Sequence, residues 1–310
     1  MTRLAIDRTT ELDINGSRQK VRVRAARPGL PPLLVVQGGP GLPILHEVDK
    51  FQRLLNLERD FLVCYWEQRG CGDAPSRDAE SGSMPQHVDD LRVVIQWFQR
   101  AASQPLVVLG ISLGGTLTLQ AVAHESRRVR AAVVVSPDAH TTKSDAYAAA
   151  FLHERGRLAG NGRLSRRVTK LEAPPYLDAA PFQRRASLLI DLGTVEYGKR
   201  FAPLLRETFV GMIRAYGPLG TMRALRNMNR VQRRVLPELV SLDLLANPPR
   251  ITIPVHYVFG ERDALTPPSL VDKIPSRIAA PGSTVVYVPN AGHHVHFDHP
   301  DVVRSIIAKA

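Results

Sequence analysis

The sequence GISLGG, residues 110–115, connects a short apolar run to a segment in which leucine and valine recur at helical spacing. A G-x-S-x-G pattern between a strand and a helix is typical of a nucleophile elbow, a sharp turn that exposes a serine at the end of a sheet. Glycine is needed at Gly110 and Gly114 because side chains there would collide with neighbouring elements. Ser112 is therefore the candidate nucleophile. The Leu113 N–H, at the start of the helix, is a candidate oxyanion donor.

Other apolar runs around this turn predict a mostly parallel central sheet. They are continuous and rich in β-branched residues, as in strands that are covered on both faces. The runs lie at residues 32–37, 61–66, 105–109, 131–135, 253–259 and 284–288. Helical spacing of apolar residues separates the first four runs, so the order is strand, helix, strand. We therefore predict the α/β fold class, with helices flanking the sheet.

The middle of the chain has a different pattern. From about residue 138 to 245 no strand run of comparable quality occurs. Apolar residues between 201 and 216 recur at helical spacing and predict a helix with one apolar stripe. We therefore expect the core in two parts, 1–137 and 246–310, separated by an all-helical cap at 138–245.

Composition narrows the class of protein. The chain has 310 residues, 44% of them hydrophobic and 23% charged, as in a soluble globular protein. Its two cysteines cannot form a disulfide framework, and no apolar run has the length of a signal peptide or a membrane span. We expect a cytoplasmic protein that needs no cofactor, because no nucleotide, haem or flavin motif is present.

The formal net charge of +12 raises the question of a nucleic-acid partner. Basic residues cluster at 155–170 and 208–237, but few aromatic residues are interleaved with them, and no nucleic-acid motif is present. A solvated basic face explains this pattern best, so we expect no nucleic-acid partner. An anionic ligand or surface remains an alternative.

Loops after other predicted strands carry the remaining groups that a serine nucleophile requires. Gly39 lies in QGGPG at 37–41, where its N–H is a candidate second oxyanion donor. Asp263 follows the run at 253–259 and is the candidate carboxylate that orients a histidine. Asp138 also follows a strand run and is the alternative acid.

The candidate base comes from the histidine-rich stretch NAGHHVHFDHP at 290–300. His293 directly follows the glycine in the loop after the last predicted strand, and His294 is the alternative if the loop is shifted by one residue. His294, His296 and His299 could converge on a metal, but no partner motif calls for one, so we predict no metal site. Their own roles stay open. Asp298 is expected near the N-terminus of the last helix, where a negative charge is favoured.

Five motifs in this order resemble the α/β-hydrolase superfamily, and more narrowly its proline-iminopeptidase-like branch. They are QGGPG at 37–41, EQRGCG at 67–72, GISLG at 110–114, GERD at 260–263 and AGH at 291–293. The resemblance implies an α/β-hydrolase fold with Ser112, Asp263 and His293 as a triad. The chain departs from the branch at three positions: Gln37 replaces histidine, Glu67 replaces aspartate, and Leu113 replaces the usual tryptophan.

These features predict a serine hydrolase that cleaves an ester or a small amide or peptide bond through an acyl-enzyme. Its partner would be a small-molecule ester or a short peptide or amide. One alternative is a prolyl aminopeptidase, in which cap glutamates such as Glu196 and Glu207 bind a substrate amine if they share a helix face. The other alternative is a non-catalytic ligand-binding or interaction protein on the same fold.

Overall fold

A computed structural model describes residues 2–160, 162–278 and 280–310. In this part of the chain eight strands form one sheet in the order β1-β2-β4-β3-β5-β6-β7-β8. The strands are β1 (Ile6–Ile14), β2 (Ser17–Ala25), β3 (Pro32–Val36), β4 (Leu62–Trp66), β5 (Leu106–Ile111), β6 (Val129–Val135), β7 (Val255–Gly260) and β8 (Thr284–Val288). Strands β3 to β8 are parallel to one another, as the continuous apolar runs predict.

Helices cover both faces of the parallel strands. They are α1 (Val48–Leu54), α2 (Ser76–Ser81), α3 (Met84–Ala102), α4 (Leu113–Val122), α5 (Thr141–Leu158), α6 (Arg163–Val168), α7 (Ala179–Asp191), α8 (Phe201–Val240), α9 (Pro268–Val271), α10 (Ile274–Arg277), α11 (Val295–Asp298) and α12 (Pro300–Lys309). A 3-10 turn lies at Leu57–Arg59.

Successive residues of the central strands face opposite sides of the sheet. Leu34 and Val36 of β3 pack in one apolar cluster with α3 and α4, whereas Leu33 and Val35 pack in another with α1 and α12. Burial on both faces explains why these strands are continuously apolar. Because they are parallel, their carboxyl ends meet at one edge of the sheet, where ligands bind in open α/β sheets.

Strands β1 and β2 are not among the apolar runs that predict the sheet. They pair antiparallel with each other, and β2 pairs antiparallel with β4. Strand β1 has the sequence IDRTTELDI and is mostly exposed, so it lacks the apolar run of a central strand. Strand β2 alternates polar and apolar residues along KVRV, residues 20–23, where the polar residues are more exposed, which is typical of a sheet with one wet face.

Between β6 and β7, the described residues contain helices and no strand, as expected for a helical cap. The long helix α8 breaks at Gly217, whose φ of 68° and ψ of 177° are not helical, and Pro218 follows. The predicted apolar stripe is only partly buried, because Met212 is buried while Leu205 and Phe209 are half-exposed. The boundaries at 137 and 245 stay predictions.

No helix in residues 2–160, 162–278 and 280–310 combines the length and the hydropathy that a membrane span requires.

Candidate active site

Ser112 stands at the turn between β5 and α4. Its backbone has φ of 52° and ψ of −124°, a conformation that non-glycine residues rarely adopt. Such strain persists only where surrounding structure holds it, and it clusters at functional sites. The Ser112 N–H donates to Val135 O at 2.8 Å, which ties the turn to the end of β6. The residue is only partly buried.

Close packing explains the two glycines of the elbow. A Cβ on Gly110 would lie 2.5 Å from Thr118 Oγ1, and a Cβ on Gly114 would lie 2.2 Å from Val36 O. Both distances are shorter than any real Cβ contact, so alanine at either position would push adjacent elements apart. The requirement for glycine inferred from the sequence therefore has a direct steric cause.

The loop after β3 lies against the nucleophile. A Cβ on Gly38 would be 3.1 Å from Ser112 Cβ, and one on Gly39 would be 3.6 Å from Leu113 Cδ2. Within the described parts of the chain, the N–H groups of Gly38 and Gly39 donate to no other group. The loop backbone and the start of α4 thus flank Ser112 from two sides.

The EQRGCG turn after β4 supports the same loop. Gln68 Nε2 donates to Gln37 O at 2.7 Å. The carboxylate of Glu67 accepts hydrogen bonds from Leu45 N at 3.0 Å and from the Tyr216 hydroxyl at 2.8 Å. Burial raises the pKa of Glu67 to about 7, although these hydrogen bonds lower it. Glu67 therefore joins the loop after β3 to helix α8.

Asp263 and His293 meet at the carboxyl ends of β7 and β8. Asp263 Oδ2 lies 2.8 Å from His293 Nδ1 and accepts from Thr266 Oγ1 at 2.7 Å. Asp263 Oδ1 accepts from the N–H groups of Leu265 at 2.8 Å and Thr266 at 3.0 Å. Burial alone would raise the pKa of Asp263, but His293 and these hydrogen bonds hold it below its usual value. The carboxylate is thus fixed in its ionised form.

The other ring nitrogen of His293 is unoccupied. His293 Nε2 is buried and has no hydrogen-bond partner among the residues that the structure describes, so Ser112 Oγ does not bond to it here. Catalytic hydrogen bonds are often long before substrate binds. Ser136, at the end of β6, links that strand end to β7 and to the Asp263 loop, because its N–H donates to Val258 O and its carbonyl accepts from Thr266 Oγ1.

The alternative acid, Asp138, makes different contacts. Its carboxylate accepts from His140 N at 3.1 Å, Thr141 Oγ1 at 2.8 Å and Ser144 Oγ at 3.0 Å. These bonds stabilise the N-terminal turn of α5, where backbone donors lack helical partners. The geometry therefore favours Asp263 over Asp138 as the partner of the histidine.

The remaining histidines of this stretch have different polar and packing partners, although the rings of His294 and His296 lie 5.3 Å apart. His294 Nδ1 lies 3.6 Å from Glu196 Oε1, His296 is buried and stacks on Phe51, and His299 Nε2 lies 3.3 Å from Asn290 O. No group of three potential metal ligands occurs in the ranges that the structure describes. Since the Nδ1 atom of His294 faces Glu196, the geometry favours His293 over His294 as the base.

Asp298 lies just before α12, as expected from the sequence, but its hydrogen bonds are made elsewhere. It ends the short helix α11, and its carboxylate binds two backbone groups rather than the N-terminus of α12. Gly292 N–H donates to Oδ2 at 2.8 Å, and Tyr197 N–H donates to the carboxylate at 3.0 Å. Asp298 therefore links the histidine loop to the helical segment between β6 and β7, a contact that no sequence pattern indicates.

Glu196 and Glu207 do not share a helix face, because Glu196 precedes the start of α8. Glu196 is buried and pairs with Lys50 at 2.5 Å and Lys199 at 2.6 Å. Glu207 pairs with Arg53 at 2.9 Å and lies 3.5 Å from Lys50. Both carboxylates are therefore already bound to cations of this chain.

The fold and the site define a class of protein. Residues 31–300 match the alpha/beta hydrolase fold family, and the chain belongs to that family. It is thus an enzyme of the hydrolase class, and the resemblance drawn from the five motifs is confirmed.

Individual relatives are distant. A probable aminopeptidase, YbaC, of Bacillus subtilis (strain 168) is 22% identical and covers 96% of this chain and 94% of its own. The solved structure of a proline iminopeptidase-related protein from Thermus thermophilus has a TM-score of 0.62 at 18% identity. The match covers 98% of this chain and 96% of that protein. The structure of the esterase EaEST from Exiguobacterium antarcticum also has a TM-score of 0.62, at 17% identity, and the match covers 97% of this chain and 98% of the esterase. At these identities the structural likeness shows the shared fold.

Proposed function

We propose that this chain is a serine hydrolase that cleaves an ester or a small amide or peptide bond through an acyl-enzyme. Ser112 is the nucleophile, His293 the general base and Asp263 the residue that orients the histidine. The observation that carries the proposal is the 2.8 Å contact between Asp263 and His293 Nδ1, which leaves His293 Nε2 buried and without a partner among the described residues. A serine hydroxyl needs such a base, because it is a poor nucleophile at neutral pH.

In the first half-reaction, Ser112 Oγ attacks the substrate carbonyl carbon as its proton passes to His293 Nε2. The ionised Asp263 stabilises the imidazolium through Nδ1–H. The tetrahedral intermediate collapses, and His293 donates its proton to the departing alcohol or amine. A water molecule then attacks the acyl-Ser112 carbonyl while His293 Nε2 takes its proton; the second intermediate collapses, His293 returns that proton to Ser112 Oγ, and the acid product leaves.

The negative charge on the tetrahedral intermediate requires donors that are already in place. We assign this role to the N–H groups of Gly39 and Leu113, which lie on the two sides of Ser112. Loss of one such donor typically lowers kcat about 10²–10³-fold. Preorganisation supports the assignment: the loop of Gly39 is braced by Gln68 and Glu67, and Leu113 begins a rigid helix.

The substrate class that we propose is a small-molecule ester or a short peptide or amide. The relatives include a probable aminopeptidase and an esterase, so their names support both bond types. A prolyl aminopeptidase would need a carboxylate available to bind the substrate amine. Glu196 and Glu207, the glutamates considered from the sequence, are instead neutralised by lysine and arginine. We therefore rank ester and simple amide cleavage first and prolyl release second.

Two cysteines bear on the compartment. Cys64 and Cys71 are free and buried, and burial raises the pKa of both thiols. Inert, unpaired thiols fit a reducing compartment. We propose a cytoplasmic location on this ground.

Labelling by an active-site-directed fluorophosphonate tests the proposal. The wild type should label once, at Ser112, and Ser112→Ala should neither label nor turn over substrate. Ser136→Ala is the matched control, since Ser136 is another serine with positive φ at a strand end and its buried hydroxyl has no partner in the described residues. That variant should label normally. A folded wild-type protein that does not label would refute Ser112 as an activated nucleophile and with it the proposed mechanism.

A substrate panel then separates the bond types. Nitrophenyl esters of short acids, acyl anilides and proline arylamide are compared on the wild type and on Ser112→Ala. Turnover of esters or simple amides is expected. Rapid cleavage of proline arylamide alone would overturn the ranking and establish the prolyl aminopeptidase.

A further inference from the structure

The histidine loop after β8 is joined to the helical segment between β6 and β7 by main-chain hydrogen bonds. His293 N–H donates to Thr194 O at 2.9 Å, and His294 N–H donates to Val195 O at 2.7 Å. A Cβ on Gly292 would lie 2.5 Å from Thr194 O, so the two backbones run in close contact. We call residues 193–199 the clamp segment.

Asp298 adds a third connection between the same two pieces of chain. Its carboxylate accepts from Gly292 N–H of the histidine loop and from Tyr197 N–H of the clamp segment. The backbone of the candidate base is thus held on both sides of His293 by groups that also contact residues 194–197. Any displacement of the clamp segment would be transmitted to His293.

Glu196 lies in the middle of the clamp segment and fixes it to the core. Its Oε1 atom is 2.5 Å from Lys50 Nζ of helix α1, and both side chains are buried. Its Oε2 atom is 2.6 Å from Lys199 Nζ at the end of the segment. Lys50 Nζ also lies 4.0 Å from the centre of the Phe297 ring, which belongs to α11 beside the histidine loop.

We propose that Glu196 is a positioning residue for His293. The proposal rests on the role of His293 as the base. Through Lys50, Glu196 locks the clamp segment onto the core, and the segment in turn holds the His293 backbone so that its ring stays between Asp263 and Ser112. A misplacement of about 1 Å in a reacting group can lower a rate on the order of 10²-fold, so this support bears directly on turnover.

The charge balance of the site fits this role. An unpaired buried charge is strongly unfavourable, so Glu196 and Lys50 constrain each other. Burial would raise the pKa of Glu196, but the neighbouring His294 ring, the charge of Lys50 and the hydrogen bond from Lys199 Nζ hold it well below its usual value. Glu196 therefore stays ionised at neutral pH, and its contact with Lys50 Nζ is short and buried.

Glu196→Gln is the test, and Glu207→Gln is its matched control. Both glutamates face Lys50, but Glu207 lies on α8, is 39% exposed and does not belong to the clamp segment. In Glu196→Gln, Lys50 keeps Glu207 as a counter-ion, so the variant avoids an isolated buried cation. With the best ester from the panel, we expect kcat to fall by roughly 10- to 100-fold with KM within about twofold. Glu207→Gln should match the wild type.

The Asp263–His293 hydrogen bond gives a second measurement, independent of turnover. Its Nδ1 proton should appear as a far-downfield proton resonance in the wild type and in Glu207→Gln, and should be lost or broadened in Glu196→Gln. A purely structural Glu196 would lower the unfolding midpoint but leave kcat and this resonance unchanged in the folded variant. That outcome would overturn the proposal.

Two controls keep the result interpretable. If Glu196→Gln does not fold, Glu196→Asp is used instead, because its shorter side chain cannot reach both lysines. A kcat and a proton resonance equal to those of the wild type in Glu196→Asp would again overturn the proposal. Fluorophosphonate labelling separates this idea from the proposed function. If the wild type does not label, both the proposed function and the positioning role of Glu196 are refuted. If the wild type labels normally and Glu196→Gln keeps the wild-type kcat and proton resonance, only the positioning role is refuted.

Discussion

Replacement of Glu67 by glutamine should stabilise the protein at pH 8 and have much less effect at pH 5. Glu67 is buried, and its pKa is raised from 4.5 in the unfolded chain to about 7. A carboxyl whose pKa rises on folding binds its proton more tightly in the native state. Native stability from this residue is therefore present at low pH and is lost as the pH rises from about 4.5 to about 7.

The size of the effect follows from the shift. One pKa unit corresponds to about 1.4 kcal/mol, so burying the ionised carboxylate of Glu67 lowers the free energy of unfolding by roughly 3 kcal/mol above pH 8. Glutamine imitates the protonated acid. Its carbonyl can accept from Ile44 N and Leu45 N in place of Oε2, and its amide can donate to the Tyr216 hydroxyl in place of Oε1.

Urea unfolding of the wild type and Glu67→Gln at pH 5 and pH 8 measures this difference. The free energy of unfolding of Glu67→Gln minus that of the wild type should be larger at pH 8 than at pH 5 by roughly 2–3 kcal/mol. His87 has its pKa lowered to about 4 by burial and acts in the opposite direction, but it is common to both proteins and cancels.

Glu261→Gln, at an exposed position after β7, serves as the control and should show no such gap. A Glu67→Gln protein that is equally or less stable than the wild type at pH 8, with a gap independent of pH, would contradict the reasoning.

Three further substitutions test the site. Gly114→Ala places a methyl group against Val36 O, so the free energy of unfolding, measured by thermal unfolding, should fall by about 1–3 kcal/mol or more, and ester turnover should also fall. An unchanged unfolding midpoint would contradict the packing argument. Asp263→Asn should keep the fold by circular dichroism but lower kcat roughly 10⁴-fold, because the wrong tautomer of His293 is held; a loss below about tenfold would argue against the orienting role. His293→Gln should abolish turnover, whereas His294→Gln should lose less than about tenfold in kcat, and the reverse order in the same assay would reassign the base.

The central sheet could be predicted because its strands are buried on both faces. The runs at 32–37 and 131–135 correspond to β3 and β6 within a few residues, and the elbow could be placed from its glycines alone. The pairing of Asp263 with His293 was also accessible, since both follow parallel strands whose ends meet. Their catalytic role stays a prediction that the labelling experiment decides.

Other features left little signal. Strand β1 gains its place by pairing with β2 rather than by burying an apolar face, so its polar sequence resembles a loop. The alternation in β2 was a readable signal of a half-buried strand. The break of α8 at Gly217 and Pro218 was also visible in the sequence, since glycine followed by proline disfavours a continuous helix.

The surroundings of Glu196 were inaccessible for a different reason. Its partner Lys50 lies 146 residues away in sequence, and neither residue belongs to a motif. Whether a glutamate is exposed or buried in an ion pair depends on how α1 and the clamp segment pack, which local patterns do not encode. A glutamate between α7 and α8 therefore looks like a surface charge until the tertiary contacts are known.

The main-chain contacts between residues 194–197 and the histidine loop have a consequence for protein engineering. A chimaera that exchanges only 138–245 for the corresponding helices of a relative would pair a foreign segment with the native loop at 292–298, and the Lys50–Glu196 match would be lost. The smallest interchangeable module is thus discontinuous: the helices, the loop and one position on α1 must be transferred together. In this hydrolase, the helical segment and the loop of the candidate base form one structural unit.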